Sequence, residues 1–437
     1  MRKGLRQTKA VPPGVYPSEE LRQLEKKTFS LHMLSNVFMG LSFGILMLHE
    51  IILKKSLLGT DFQVTLLIFL SSSAFIFSIY GTELIHRSSN PAKTIIILAL
   101  ISRFFLFIIP LFSTPEYFIF CIAAMSYIDS LIKPSWNTVF KHNYSDSRRS
   151  LLYSYSSSLY TIVILIVSTL LGYLLDINYE LYKILFPIAG IFDVLSYISL
   201  AKMITMGQNL RMIPPGIPGK SLSLKLLEDI FVLPVRNMMR IFKENRPFLR
   251  FEAFFFMYGM AFMIASPAVP IYLVEVLQLS YSPISIAKGL VFYTATILFT
   301  PLMGRLHGTG NPTKFCGYLF LFLLFYPLSM MGVKYLPGVI SFITPEIMLY
   351  FTFFLFGILM SGITMSWNLS TIYYAPHYQE ANYQSVHITL TGVRGVFSPF
   401  IGYLILRYVS IEATFIVSSV IFLLAGIMML RESRRHG

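Results

Sequence analysis

Apolar runs recur along this sequence at the length that crosses a bilayer. Each is roughly 20 residues long, enough for a helix to traverse about 30 Å of hydrocarbon. They fall near 29–51, 62–85, 93–112, 117–140, 151–175, 183–203, 248–275, 283–306, 314–334, 346–374, 382–407 and 411–430. Lipid offers no partner to an open backbone N–H or C=O, so runs of this kind fold as helices. With 55% hydrophobic and 13% charged residues, against about 25% charged in soluble proteins, the chain's length counts spans rather than globular domains. The expected fold is an all-α integral membrane protein of twelve transmembrane helices.

The basic residues lie between these spans. By position, roughly 26 of the Lys and Arg fall in the tails and loops on the side of the N-terminus and about 5 on the other side, and basic loops stay cytoplasmic. Both termini are therefore expected in the cytoplasm, with the chain in a bacterial inner (plasma) membrane. Residues 1–28 form a basic tail without an apolar run, so no cleaved signal peptide is expected. Residues 204–246 form a cytoplasmic linker: Pro214, Pro215, Gly216, Pro218 and Gly219 mark a hinge, and Ser221 to Lys243 has helical apolar spacing with Arg236, Arg240 and Lys243 between. That segment is expected to be an amphipathic helix on the membrane surface, broken at Pro234. Residues 431–437 are a second tail. The net charge of +14 lacks the basic stripe on a soluble fold that a nucleic-acid partner needs. Cys121 and Cys316 have no metal-ligand spacing and are expected to be free, buried thiols.

Four short matches recur in order. Gly40-Leu41-Ser42-Phe43-Gly44-Ile45 returns 219 positions later as Gly259-Met260-Ala261-Phe262-Met263-Ile264, and Asn90-Pro91-Ala92-Lys93 returns 221 later as Asn311-Pro312-Thr313-Lys314. Ser135-Trp136-Asn137 returns 231 later as Ser366-Trp367-Asn368, and Leu171-Gly172-Tyr173-Leu174 returns 230 later as Ile401-Gly402-Tyr403-Leu404. The chain reads as two copies of one six-span bundle, 29–203 and 248–430. An even number of spans gives both copies the same orientation, with a cavity between them and rocking as the natural motion.

In this respect the sequence resembles the major facilitator superfamily, over about residues 29–430. The paired six-span halves, the long basic central loop and the matching loops after spans 2 and 8 carry the resemblance. The family's loop pattern Gly-x-x-x-Asp-Arg/Lys-x-Gly has Gly81 in place but Ile85 where Asp belongs, with Glu83 and Arg87 nearby. After span 8, Gly304 is followed by Gly308 at that place, with Arg305 and Lys314 around it. The Trp-Asn end of span 4, followed by Arg148 and Arg149, is similar to bacterial members. Gly395, Pro399 and Gly402 loosely resemble an exporter's glycine-rich bend, although span 5 lacks its proline. The resemblance implies a secondary transporter in which spans 1, 4, 7 and 10 line the cavity.

Charges within spans are costly and are functional candidates by default. Asp129 and Lys133 lie four apart on one face of span 4. Either they form a substrate or proton-coupling site, or they neutralise each other, or Asp129 pairs with Arg103 on span 3. Arg103 and Asp193, on spans the resemblance places outside the cavity wall, read as a structural pair. Arg394, between Gly392 and Gly395, is a candidate for solute contact or state-dependent pairing. Glu83, Arg87 and Arg305 are possible gating charges. His387 reads as a packing residue, and His49 and Glu50 as interfacial. Gly259, Pro267 and Pro270 break span 7, marking either a moving gate or a packing kink. Trp136 with Asn137, and Trp367 with Asn368, either grip an apolar solute or anchor the interface.

No Gly-x-x-x-x-Gly-Lys-Ser/Thr loop is present for a nucleotide, and the scattered histidines form no catalytic cluster. No enzyme activity, cofactor or metal is expected. A buried carboxylate such as Asp129 makes the proton gradient the simplest driver. The preferred reading is proton-coupled export of an amphiphilic compound by alternating access. Uptake of an organic anion stands second, and a non-transporting sensor or assembly partner on the same fold is the other class. The partners expected are a small solute, protons and the bilayer, and no oligomer is required.

Overall fold

The computed structural model describes residues 18–86, 88–210, 232–308, 311–340, 343–376 and 380–435. Among them are eleven helices long and apolar enough to cross a membrane: Glu19–Lys55 (span 1), Pro91–Leu111 (span 3), Pro115–Asn143 (span 4), Leu151–Ile177 (span 5), Tyr179–Asn209 (span 6), Arg246–Val276 (span 7), Tyr281–Gly308 (span 8), Pro312–Gly338 (span 9), Pro345–Leu369 (span 10), Tyr383–Tyr408 (span 11) and Ile411–Ser433 (span 12). The twelfth, span 2, runs as Asp61–Ser73, a 3-10 turn Ala74–Phe77 and Ser78–His86. The protein is an all-α integral membrane protein with twelve spans in two halves.

The repeated loop motifs are helix starts. Asn90 Oδ1 accepts the Lys93 N–H at 3.0 Å, and Asn311 Oδ1 accepts the N–H groups of Thr313 and Lys314, each with proline next in sequence at the first helical position. An N-cap side chain plus a proline whose missing N–H costs nothing there defines both starts. Thr114-Pro115-Glu116 and Thr344-Pro345-Glu346 open spans 4 and 10, 230 positions apart, each with proline in the first turn; the Thr344 hydroxyl accepts the Ile347 N–H, whereas Thr114 makes no such cap bond. The sequence reading missed this further match between the halves.

Several spans are broken. Span 1 turns at Met47–Leu48 and resumes as His49–Lys55, so Lys54 and Lys55 are helical rather than in a loop. Span 4 divides at Lys133 into Pro115–Ile132 and Pro134–Asn143, because Pro134 cannot donate into the helix ladder. Span 7 breaks at Ser266 and Pro267, as its prolines require, and ends in a π-helical turn Tyr272–Val276. Span 8 carries a second π-helical turn, Ile286–Val291. Before span 7 lies the helix Leu233–Glu244, with Pro234 in its first turn. Pro234 therefore starts this helix instead of breaking it, since a first-turn N–H has no partner to lose. The rest of the expected linker helix lies outside the described residues, as do most of the N-terminal tail and Arg87.

Spans 2 and 11 pack together across the halves, with Gly392 against Ile76 and Gly395 against Ser72, and charged contacts join the halves at the end of the bundle away from the termini. There Lys54 pairs with Glu275 at 2.5 Å and Asp61 at 2.6 Å, and Lys55 donates to the Leu279 carbonyl at 2.8 Å. Asp176 of span 5 accepts the N–H groups of Tyr281 and Ser282 at 2.7 and 2.8 Å, closing the start of span 8. Spans 5 and 8 touch through glycines: a Cβ at Gly172 would meet the Ser285 side chain and one at Gly289 the Ser168 hydroxyl.

Candidate functional site

A cavity of about 760 Å³ is lined by spans 1 to 6 and by Lys288 of span 8. Its wall is mainly apolar and aromatic, with Phe43, Phe75, Trp136, Phe140, Tyr153 and Tyr160 among the lining side chains. Set into that wall is a cluster of charges drawn from three helices.

Arg103 of span 3 is its centre. Its Nη2 donates to Asp129 Oδ1 of span 4 at 2.6 Å, its Nε donates to Asp193 Oδ2 of span 6 at 2.7 Å, and its Nη1 reaches the Ser102 hydroxyl. The Tyr197 hydroxyl also donates to Asp129, and the Tyr197 ring lies under the guanidinium at 5.1 Å. Only about 4% of the Arg103 side chain is exposed. Lys133, at the break in span 4, places its amine 3.5 Å from Asp129 Oδ2 while half of its side chain remains exposed. It lies over the Phe75 ring at 4.8 Å. The buried Asp193 and the slightly exposed Asp129 thus share one guanidinium, and the remaining charge is met by a half-exposed lysine.

The arrangement corrects the sequence expectation: the cavity is lined by the first six spans and Lys288, not by spans 1, 4, 7 and 10 between the halves. Arg103 and Asp193 line the cavity together with Asp129 instead of lying behind its wall, because the Arg103 side chain is long enough to join spans 4 and 6. The proposed pairing of Asp129 with Arg103 is present, alongside the contact with Lys133. Glu50 is also in the wall rather than at a wet interface: it faces Lys288 at 3.6 Å, across the two halves. Lys288 and Glu275 both come from the π-helical turns of spans 8 and 7, and the sequence reading singled out neither.

Trp136 and Asn137 line the cavity, whereas Trp367 packs in the other half against His387, ring centroids 5.6 Å apart. Asn368 is exposed and donates to the Thr364 carbonyl of its own helix. His387 is more than a packing residue: its Nδ1 lies 3.0 Å from both oxygens of Glu252, a buried carboxylate of span 7 that the sequence reading passed over. Arg394 is apart from the cavity described above. Its Nη1 donates to the Phe255 carbonyl at 3.1 Å and its Nη2 to Thr391, with its guanidinium against Gly259, where a Cβ would lie 2.0 Å from Cζ. Gly259 is needed for that close approach. Glu83 lies on the helix Ser78–His86, and Arg305 is exposed in the last turn of span 8. Pro267 and Pro270 stand at the break in span 7. Both cysteines are free and buried, and no cluster among the described residues has the makings of a metal site.

The sequence matches the profile of the Major Facilitator Superfamily over residues 32–344 and again over 253–437. The chain belongs to the Major Facilitator Superfamily. No curated protein matches it in sequence. Among solved structures it is similar to a peptide transporter POT in complex with sulfate (TM-score 0.72, 14% identity, 95% of this chain and 98% of that one). It is also similar to the nucleoside transporter NupG (0.63, 12%, 94% and 99%). A third is a bacterial homologue of the human lysosomal transporter Spinster, inward-facing and unoccupied (0.57, 12%, 96% and 98%). At such identities the likeness shows the fold of this superfamily member. Family and fold together make it a secondary transporter.

Proposed function

We propose that this superfamily member couples the export of an amphiphilic solute to the entry of protons, with Asp129, Arg103, Asp193 and Lys133 as the coupling site. One observation carries the reading: two carboxylates, Asp193 buried and Asp129 about 13% exposed, share a single buried arginine in a mainly apolar cavity. The apolar wall suits the body of an amphiphile. A cationic group on the solute and a proton compete for the same carboxylate charge whenever Lys133 swings away, so loading one expels the other. The distribution of Lys and Arg supports cytoplasmic termini, and in that orientation the closed end of the bundle faces outside and the cavity serves cytoplasmic solute.

A second reading rests on Lys133 and Lys288, which offer amines to the same cavity. An organic anion that drew Lys133 from Asp129 would leave that carboxylate to take up a proton, giving anion uptake with protons. Thermal-shift screening of the purified protein against organic cations, zwitterions and organic anions, with wild type and Asp129→Asn compared, separates the two. A bound solute near 100 times its dissociation constant adds about 2.7 kcal/mol. Export of an amphiphile predicts stabilisation by cations that Asp129→Asn abolishes; stabilisation by anions that Lys133→Ala abolishes supports uptake. A solute that stabilises all three proteins equally would remove the cluster from the binding site under either reading.

A further inference from the structure

The helix Leu233–Glu244 has a face that the bundle does not use. Ile241 is buried in the main core and Met238 and Phe242 pack against the same cluster, with the Phe242 and Phe248 rings 6.0 Å apart. These residues fix the helix to the end of span 7. A second strip, Val235 and Met239, is turned away from the protein, and each side chain is about half exposed. Beside that strip lie Arg236, Arg240 and Lys243, all exposed. Among the described residues none of these three cations makes a hydrogen bond or ion pair.

We propose that this face is a binding surface for anionic phospholipid head groups. The chemistry fits on two counts. Val235 and Met239 enter the boundary between head groups and acyl chains, while the long arms of the arginines and lysine reach back to the phosphates. The three cations follow one edge of the helix, a charge arrangement that a leaflet of negative head groups complements and a zwitterionic leaflet does not. Each such cation near an anionic surface contributes about 1 kcal/mol, or roughly five-fold in occupancy.

Lipid held here acts on the transporter through span 7. Asn245 is the only residue between this helix and span 7. Its Oδ1 caps span 7 by accepting the Phe248 N–H at 3.0 Å, and its Nδ2 donates to the Tyr374 carbonyl at 2.8 Å and the Tyr383 hydroxyl at 3.2 Å. The helix is thus tied to the ends of spans 10 and 11 as well, and a head group that pins it pins one end of the half that must rock.

The test is hydrogen exchange of peptides covering 233–244, with the full chain in nanodiscs of phosphatidylcholine alone or with about 30% phosphatidylglycerol. Slowing by about ten-fold or more in the anionic discs is expected, weakened by 0.5 M salt or so because exposed charges are screened. The triple variant Arg236→Gln, Arg240→Gln, Lys243→Gln keeps helix propensity and is expected to exchange alike in both discs. Equal exchange of the wild type in the two lipids would overturn the proposal. So would a lipid dependence that the triple variant retains, or protection appearing only with a soluble protein partner.

Discussion

Arg103 is the residue on which the cavity cluster depends. Removing it leaves Asp193 without a cation and Asp129 with only the half-exposed Lys133, and breaking a buried pair from one side costs about 3–5 kcal/mol. Arg103→Gln is therefore expected to lower the unfolding midpoint sharply, while Asp129→Asn together with Asp193→Asn in the Arg103→Gln background recovers much of the loss. A single Arg103→Gln variant as stable as wild type would show that the three groups are not coupled. Lys133→Ala, at a half-exposed side chain, is expected to cost under about 1 kcal/mol and to act on solute handling instead. The sequence marked Arg103, Asp129, Lys133 and Asp193 as costly intramembrane charges, and the four-residue spacing joined Asp129 to Lys133. It could not show that one guanidinium spans three helices, since no local spacing links residues 90 positions apart. Glu252 and His387 were hidden for the same reason, each looking like an isolated polar group in its own span.

At the scale of elements, small residues and prolines set where helices touch and bend. A Cβ at Gly81 would lie 2.0 Å from the Leu131 carbonyl oxygen, so spans 2 and 4 approach backbone to backbone there. Gly81→Ala is expected to destabilise by about 1–3 kcal/mol through overpacking, more than the gain of up to about 1 kcal/mol in helix propensity. A higher melting temperature in that variant would contradict the close approach. Span count, the break in span 7 and the two-fold repeat were legible because hydrophobic runs, prolines and recurring capping signals are local. Pro134 and Pro234 show the limit: one breaks a span and the other starts a helix, and only position relative to the first turn distinguishes them. The π-helical turns that present Glu275 and Lys288 have no comparable local signal.

At the scale of the molecule, the two halves are held shut at the end away from the termini by Lys54 with Glu275 and by Lys288 with Glu50. Rocking requires both cross-half pairs to part. Spin labels at Glu180→Cys and Val339→Cys, exposed on opposite halves at that end, are expected to report a longer distance in the Lys54→Gln, Lys288→Gln double variant than in the parent. An unchanged distance would mean that helix packing, not charge, keeps this end closed. The central claim is that proton movement and solute movement are coupled through Asp129. It is tested most directly in proteoliposomes carrying a pH-sensitive dye, by imposing a gradient of a solute found to bind and recording the proton flux it drives. Wild type is expected to move protons against the direction of the solute, and Asp129→Asn, which lacks the carboxylate that solute and proton share, to move none. Equal proton flux in both proteins, or solute movement without proton movement in the wild type, would contradict the account.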